Sequence, residues 1–193
     1  MFVRGICMKR VRPHRMSRGN PVLMLLVLIA ALVTGLVHLS APERKSGADM
    51  QGVVEYVYDG DTFRLTDQRK VRLIGIDTPE SRENPKLHKD ARRSGQDVAT
   101  ILKAGREASQ FTRELLQGQR VRLETDVQTH DRYGRLLAYV YLEDGTFVNA
   151  RIIASGYASL MTIPPNVQHA DEFRDLLKEA RKKRLGLWKD GSF

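Results

Sequence analysis

The stretch that decides the fold of this chain is RLIGIDTPE, residues 72–80. Its run of apolar residues is typical of a buried strand, yet an arginine enters the run and two carboxylates flank the proline that ends it. The strand period of two places Arg72 on the same face as Ile74 and Ile76. A guanidinium on a buried face is costly unless an anion meets it, and phosphate fits its planar fork well. Alternatively, Arg72 lies near the rim and reaches water or a structural carboxylate.

The sequence around this stretch predicts five short strands. Residues 53–77 contain three segments rich in Val, Tyr, Phe and Ile, separated by turn residues at Asp59-Gly60 and Asp67-Gln68. Two further alternating segments follow, QRVRLETDV at 119–127 and RLLAYVYLEDG at 135–145. Short strands in this number favour a small closed barrel.

Three helices are predicted between and after these strands. Apolar residues recur at helical spacing over residues 108–115, 148–153 and 173–180, and glycines follow each segment. The basic run at residues 181–184 is what a helix macrodipole favours in a last turn, so we assign it no function. The sequence therefore predicts an α+β domain: a five-stranded OB-fold β-barrel with three helices.

The N-terminal part has a different character. Residues 1–20 form a basic tail, and residues 21–40 are apolar, with no Lys, Arg, Asp or Glu. Such a segment is just long enough to span a bilayer as a helix and exceeds the usual core of a signal peptide. We expect a signal anchor, or a signal peptide if it is cleaved, followed by a linker at 41–50 and a domain at 51–193. The basic tail would stay cytoplasmic and the domain would be exported to the periplasm or the outside.

Charge and cysteine content narrow the function classes. The formal net charge of the 193 residues is +9, but the first 50 hold eight Lys and Arg against two Asp and Glu. The remainder is close to neutral, so bulk charge is weak evidence for a nucleic-acid or membrane partner. Cys7 is the only cysteine, which excludes a disulfide framework and a thiolate site in the domain. The histidines lack the close spacing of zinc ligands.

Carboxylates occur where adjacent strands of the predicted barrel would meet. Asp61 begins the second strand and Asp77 ends the third, and antiparallel pairing could bring them together at one rim. Oxygen ligands without His or Cys suit a hard cation, Ca²⁺ or Mg²⁺. Glu80 follows the proline, where it could reach a water held by that cation. Each carboxylate, taken alone, could also be an ordinary turn residue.

The combination of these segments resembles the staphylococcal (thermonuclease-like) nuclease family. The matching segments run in order through residues 53–188, and they are DGDT at 59–62, RLIGIDTPE at 72–80, GREASQFTRELL at 105–116, DRYGRLLAYVY at 131–141, GYA at 156–158 and LGLW at 185–188. The resemblance implies an OB-fold barrel with three helices. It also implies a Ca²⁺-dependent phosphodiesterase, with endonuclease or exonuclease action on DNA and RNA, that leaves 3′-phosphate ends.

The resemblance also implies roles for single residues. Asp61 and Asp77 match the family's calcium carboxylates, and Thr78 matches the residue that lends a backbone carbonyl. Glu80 matches the proposed general base.

Further matches concern the substrate. Arg72 and Arg135 match the pair that holds the scissile phosphate, and Tyr133 matches a tyrosine at the nucleotide pocket. Hydrolysis adds charge to the phosphoryl oxygens in the transition state, and two arginines with a cation would receive it.

One departure from the family pattern is the length of the segment at 81–104. We interpret its first half as a substrate-facing loop, with Lys86 and Lys89 as substrate-binding residues, whereas the alternative is a solvated loop with balanced charges. Its second half has helical spacing and could extend the first helix. The five basic residues of the first half are Arg82, Lys86, Lys89, Arg92 and Arg93.

Two other functions remain open at this point. Domains of this type can lose catalysis and bind nucleic acid or protein instead, here at the membrane surface. An oligosaccharide-binding barrel would need aromatic platforms, and the only tyrosines that cluster are Tyr133, Tyr139 and Tyr141. No protein partner is implied, and we expect a monomeric catalytic domain.

Overall fold

The structure is a computed structural model that describes residues 50–189. The predictions for the basic tail, the apolar segment and most of the linker fall outside the described residues. Within the described part of the chain, none of the helices has both the length and the apolar character needed to cross a bilayer.

The described residues form seven strands, four α-helices and one short 3₁₀ turn. In chain order they are β1 (Met50–Val57), β2 (Thr62–Leu65), β3 (Lys70–Leu73), β4 (Gly75–Asp77), α1 (Pro85–Ser94), α2 (Val98–Leu116), β5 (Arg120–Glu124), β6 (Leu136–Leu142), α3 (Val148–Ala154), β7 (Ser159–Met161), α4 (Ala170–Lys182) and the 3₁₀ turn (Gly186–Trp188).

Five of these strands close a barrel in the order β1-β2-β3-β6-β5. β3 pairs with β6 in parallel, and the other neighbours are antiparallel, with β5 joining β1 to complete the closure. Alternate residues of the strands are buried and form the core, among them Val54, Phe63, Leu65, Val71, Leu73, Val121, Leu123, Ala138 and Val140. The predicted α+β architecture with a five-stranded barrel of the OB type is therefore confirmed.

The strand that carries the opening stretch is broken, contrary to the prediction of one continuous strand. β3 ends at Leu73, and Gly75 adopts a φ of +82°, a left-handed conformation that a side chain disfavours. A Cβ at Gly75 would also lie 2.6 Å from Cε2 of Phe173. β4 then leaves the barrel and pairs with β7. The prediction that Arg72 shares one strand face with Ile76 is consequently wrong.

The three predicted helices are present, and a fourth lies in the segment interpreted as a loop. The second half of that segment does extend the first predicted helix, because α2 begins at Val98. The first half forms α1, so the loop interpretation is wrong. Asn84 caps α1 by accepting a hydrogen bond from the Leu87 amide at 2.9 Å, and Gly95 ends it with a φ of +72°.

Helix α2 supports two of the loops that reach the candidate site. Gly105 lies so close to the Glu80 backbone that a Cβ would overlap its carbonyl. Seven residues along the helix, the hydroxyl of Thr112 donates to the carbonyl of Gly60 at 2.8 Å. Helix α2 thus fixes the backbone next to Asp61 and the backbone of Glu80, two of the predicted acidic site residues.

Candidate active site

A cavity of about 480 Å³ opens at the rim of the barrel where β2, β3 and β4 meet. Antiparallel pairing of β2 with β3 sets Thr62 opposite Arg72, which places the preceding Asp61 beside the guanidinium. The cavity is lined by all but one of the residues predicted for the site, namely Asp61, Arg72, Asp77, Thr78, Glu80, Lys86, Tyr133 and Arg135.

The carboxylate of Asp61 is almost fully buried, with 2% of its side chain exposed. Its Oδ2 accepts hydrogen bonds from the amide and the hydroxyl of Thr78, at 3.0 and 3.1 Å. Its Oδ1 accepts from the Thr62 hydroxyl at 3.0 Å and pairs with Nη1 of Arg72. Both oxygens are therefore engaged, because each accepts two donors.

Arg72 joins the two carboxylates that the sequence predicted as metal ligands. Besides Asp61, its Nη2 donates to Oδ1 of Asp77 at 3.0 Å and to the carbonyl of Ile76 at 3.1 Å. Burial lowers the pKa of Arg72, and the neighbouring charges of Asp77 and Asp59 oppose that effect. A guanidinium stays protonated in proteins, so the site holds a fixed positive charge between two aspartates.

Glu80 is held by two donors from the start of α1. Nζ of Lys86 lies 2.7 Å from its Oε1, and Nδ2 of Asn84 donates to its Oε2 at 2.6 Å. Lys86 also lies 3.4 Å from Oδ1 of Asp77. Partial burial lowers the pKa of Lys86, but the hydrogen bond to Glu80 and the charges of Asp77, Glu80 and Asp90 raise it overall. Lys86 is thus a cation shared by two site carboxylates.

Arg135 enters the cavity from the hairpin before β6. Its Nε donates to Oδ2 of Asp131 at 2.7 Å, and its Nη1 lies 3.4 Å from the Thr62 hydroxyl. Burial raises the pKa of Asp131, but hydrogen bonds from the Arg135 backbone and side chain lower it overall. Asp131 therefore aims the guanidinium as a charged partner, a role that the sequence analysis did not assign to it.

Tyr133 lies at the mouth of the cavity with 68% of its surface exposed. The guanidinium carbon of Arg132 is 4.8 Å from its ring centroid, and that of Arg135 is 5.6 Å away. An exposed ring beside cations can stack on a nucleotide base, as the resemblance implied.

Two residues of the DGDT segment have roles that the sequence analysis missed. Asp59 was interpreted as a turn residue, but it lines the cavity, and its Oδ1 accepts from the Asp61 amide at 3.1 Å. Burial raises its pKa, while the charges of Arg72 and Arg135 act in the opposite direction. The hydroxyl of Thr62 links Asp61 to Arg135. The Asp-x-Asp pattern in DGDT is the sequence signal that could have identified Asp59 as a site residue.

The five basic residues at positions 82–93 do not all reach the active-site cavity. Lys86 alone lines the active-site cavity, whereas Arg82 donates to the hydroxyl of Tyr56 at 3.1 Å. Lys89 is exposed and does not line the cavity. Arg93 lines a different cavity, and Arg92 is exposed. Substrate binding by Lys89 stays a prediction.

The donor set of the cavity has the chemistry of a hard-cation site. Asp61 and Asp77 with the Thr78 carbonyl would supply only oxygens, which Ca²⁺ prefers, and water would complete its coordination. Within residues 50–189, however, no group of three or more His, Cys, Asp or Glu side chains is arranged to hold a metal ion. A cation that binds Oδ1 of Asp61 must compete with Nη1 of Arg72.

Comparison with known proteins identifies relatives of this chain. Residues 70–190 match the family model described as staphylococcal nuclease homologue. The chain is 36% identical over 173 residues to a thermonuclease of Staphylococcus intermedius, with 86% of this chain and 95% of the relative covered. It is 31% identical to a thermonuclease of Staphylococcus hyicus, covering 85% and 95% of the two chains. It is 30% identical to the endonuclease YhcR of Bacillus subtilis, covering 78% of this chain and 12% of the relative. The chain therefore belongs to the staphylococcal nuclease family of phosphodiester-hydrolysing enzymes.

Proposed function

We propose that this nuclease hydrolyses phosphodiester bonds of DNA and RNA in the cavity at the barrel rim, with Ca²⁺ as its cofactor, and leaves 3′-phosphate ends. The observation that supports the proposal is the arrangement of Arg72, Arg135 and Glu80 around one cavity that also contains Asp61 and Asp77. These residues form a complete set of catalytic groups for this reaction: two cations bind the phosphate, one carboxylate accepts a proton, and two carboxylates bind a metal.

Glu80 is the general base in this proposal. A carboxylate removes a proton from the attacking water as the water oxygen bonds to phosphorus and the P–O5′ bond breaks, and the leaving 5′ oxygen takes a proton from solvent. Such base catalysis contributes about 10² to 10⁴ in rate. Hydrogen bonds from Asn84 and Lys86 fix the direction of the carboxylate. The base is therefore oriented before substrate arrives.

Arg72 and Arg135 receive the phosphate. Both guanidinium groups line the cavity, and each is oriented by an aspartate, Asp77 for Arg72 and Asp131 for Arg135. Charge that develops on the equatorial oxygens in the transition state is stabilised by such pre-oriented cations. Tyr133 would stack on the base beside the scissile phosphate.

Asp61, Asp77 and the carbonyl of Thr78 would hold the calcium ion. When bound, Ca²⁺ supplies a further positive charge to the phosphoryl oxygens. The chain contributes the rigid position of Asp61, because the amide and the hydroxyl of Thr78 fix its Oδ2.

The test uses the full chain with single-stranded DNA and RNA, in Ca²⁺ and then in a chelator. We expect turnover only with Ca²⁺, and we expect Glu80→Gln to lower kcat by about 10² to 10⁴. Glu83→Gln is the matched control, since this carboxylate is in the same segment but pairs with His88 and does not line the cavity. Nucleic acid bound without turnover would instead support the binding module, and full turnover by Glu80→Gln would reject the assigned base.

We also propose that residues 21–40 anchor the enzyme, with the nuclease domain on the exported side of the membrane. The support is the apolar sequence and its basic flank. Fractionation of cells that express the full chain should recover it in the membrane fraction, with the nuclease domain cut only by protease added outside. A soluble product that begins near Ala41 would show cleavage and contradict the anchor.

A further inference from the structure

A second groove, of about 710 Å³, lies beside helix α2 and shares no lining residue with the active-site cavity. We call it the α2 groove, and it is lined by residues of α2 between Arg106 and Glu114 and by Tyr58, Ser81, Arg82 and Tyr157. We propose that the α2 groove binds single-stranded nucleic acid that extends beyond the active site. The proposal rests on the proposed function only in taking a polynucleotide as substrate.

Charge in the α2 groove favours a polyanion. Three arginines line it, Arg82, Arg106 and Arg113, against the carboxylates of Glu107 and Glu114. Gln110 joins two of these groups, because its Nε2 donates to Glu114 at 2.7 Å and its Oε1 accepts from Nη1 of Arg113 at 3.0 Å. Arg106 and Arg113 are seven residues apart on α2 and lie on one face, about 10 Å apart along the axis. That arrangement separates two phosphate contacts by enough space for a nucleoside.

Aromatic rings supply the second element of nucleic-acid recognition. Phe111 and Tyr157 stack with their centroids 4.6 Å apart and an interplanar angle of 25°, and both line the groove. Tyr58 also lines the groove. Arginines interleaved with rings that accept any base are the pattern of sequence-independent binding to single strands.

Ser109 provides an independent indication of a ligand. The residue is 4% exposed and lines the groove, and its hydroxyl finds no hydrogen-bond partner among the described residues. A buried hydroxyl normally has a partner, because leaving it unsatisfied is unfavourable. The hydroxyl oxygen itself is not exposed in the structure, so a phosphate or sugar oxygen of a bound strand would satisfy it once the covering side chains move aside.

The chain itself connects the α2 groove with the active site. Ser81 and Arg82 follow directly on Glu80, so the groove begins one residue after the proposed base. The close contact between Gly105 and the Glu80 backbone fixes α2 against this segment. A strand whose scissile phosphate lies beside Glu80 could therefore continue over Ser81 into the groove.

The experiment measures binding rather than cleavage. A labelled single-stranded DNA of about 12 nucleotides, within the range of OB-fold sites, is titrated into the full chain carrying Glu80→Gln. The groove is altered by adding Arg106→Ser and Arg113→Ser. Loss of two phosphate contacts should weaken binding at least about fivefold and make the salt slope shallower by about 1.4 between about 50 and 200 mM salt.

The matched control adds Arg174→Ser and Lys178→Ser, which remove the same charge from exposed positions of α4 outside the groove. Equal weakening by the control, or an unchanged slope in the groove variant, would overturn the proposal. Ser109→Ala gives a second measurement: it should weaken DNA binding without lowering the thermal midpoint. A lowered midpoint with unchanged binding would make the hydroxyl structural and count against the groove.

The experiments distinguish a wrong proposal for the α2 groove from a wrong proposal for the enzyme's function. Hydrolysis of a dinucleotide by the enzyme with wild-type Glu80 does not require the α2 groove, so the Arg106→Ser, Arg113→Ser variant should retain it. Groove-dependent binding without any hydrolysis would support the groove and reject the proposed function. Hydrolysis with groove-independent binding would reject the groove alone.

Discussion

The side-chain amide of Asn84 connects the proposed general base to a helix. Its Nδ2 donates to Oε2 of Glu80 at 2.6 Å, while its Oδ1 accepts from the Leu87 amide at 2.9 Å and so begins α1. Leu87 is fully buried, which fixes this end of the helix. The position of the Glu80 carboxylate therefore depends on the packing of a helix that contributes only Lys86 directly to the cavity.

Replacing Asn84 with serine separates its role as the cap of α1 from its hydrogen bond to Glu80. Serine retains a helix cap but cannot reach Glu80 as the longer amide does. We expect kcat to fall about tenfold, equivalent to about 1.4 kcal/mol in the barrier, with KM and the thermal midpoint nearly unchanged. Asn84→Ala, which also removes the cap, should lower stability by about 1 kcal/mol in addition. Wild-type kcat in the serine variant would show that the hydrogen bond does not position the base.

The proximity of Asp61 and Arg72 follows from local strand pairing, although the sequence analysis did not predict their ion pair. Two strands joined by a short connection pair by simple alternation, and Thr62 faces Arg72 as a result. The sequence analysis brought Asp77 to Asp61 by the same antiparallel pairing, whereas the position of Asp77 in the structure has another origin. It depends on the break at Gly75 and on pairing with Ser159, a contact across 82 residues that no periodicity reveals.

Helix α1 was missed because it is strongly polar and has too few apolar residues to form a stripe. Only Leu87 is buried along its ten residues, so there was no apolar stripe to detect. The signals that could have identified it were at its ends, Asn84-Pro85 at the start and Gly95 after the last turn. The site depends on this helix, since both donors to Glu80 come from its first turn and its cap.

We expect different effects on KM from substitution of Lys86 and of Lys89, although both residues are on α1. Lys86 contacts Glu80 and lines the cavity, whereas Lys89 is exposed outside it. We expect Lys86→Ser to raise KM for a dinucleotide about fivefold, as for loss of about 1 kcal/mol of charge attraction near the surface. Lys89→Ser is the matched control and should leave this KM unchanged. Equal effects of the two substitutions would show that general charge, rather than the position of Lys86, is responsible.

The two arginines of the site should differ in stability although both serve the phosphate. Arg72→Met leaves the buried Asp61 carboxylate without its cation, which should lower the free energy of unfolding by about 3 kcal/mol. Arg135→Met breaks a partly exposed pair with Asp131, and the change should stay below about 1 kcal/mol. Denaturant unfolding without Ca²⁺ measures both.

The loss of activity in the two arginine variants should not follow this difference in stability. We expect Arg135→Met to reduce kcat/KM at least about 100-fold despite its small effect on stability, as for loss of one transition-state charge partner. An unfolded Arg135→Met variant, with normal specific activity in the folded fraction, would assign this arginine a structural role.

Calcium binding should become tighter when Arg72 is removed, even though activity is lost. Both oxygens of Asp61 are engaged in the structure, and Nη1 of Arg72 pairs with the oxygen that a cation would need. Arg72→Met removes a competing positive charge between Asp61 and Asp77. We expect Ca²⁺ affinity, measured by calorimetry without nucleic acid, to rise about tenfold, and Ca²⁺ to restore part of the lost stability because it binds only the folded state.

Two variants control the calcium experiment. Arg135→Met removes a nearby cation that does not contact Asp61, so its effect on Ca²⁺ affinity should be smaller than that of Arg72→Met. Adding Asp61→Asn to Arg72→Met should abolish the gain, because the carboxylate that the cation acquires is gone. If Arg72→Met binds Ca²⁺ no better than the parent chain, then Arg72 and the cation do not compete at Asp61, and this carboxylate serves the arginine instead of the metal.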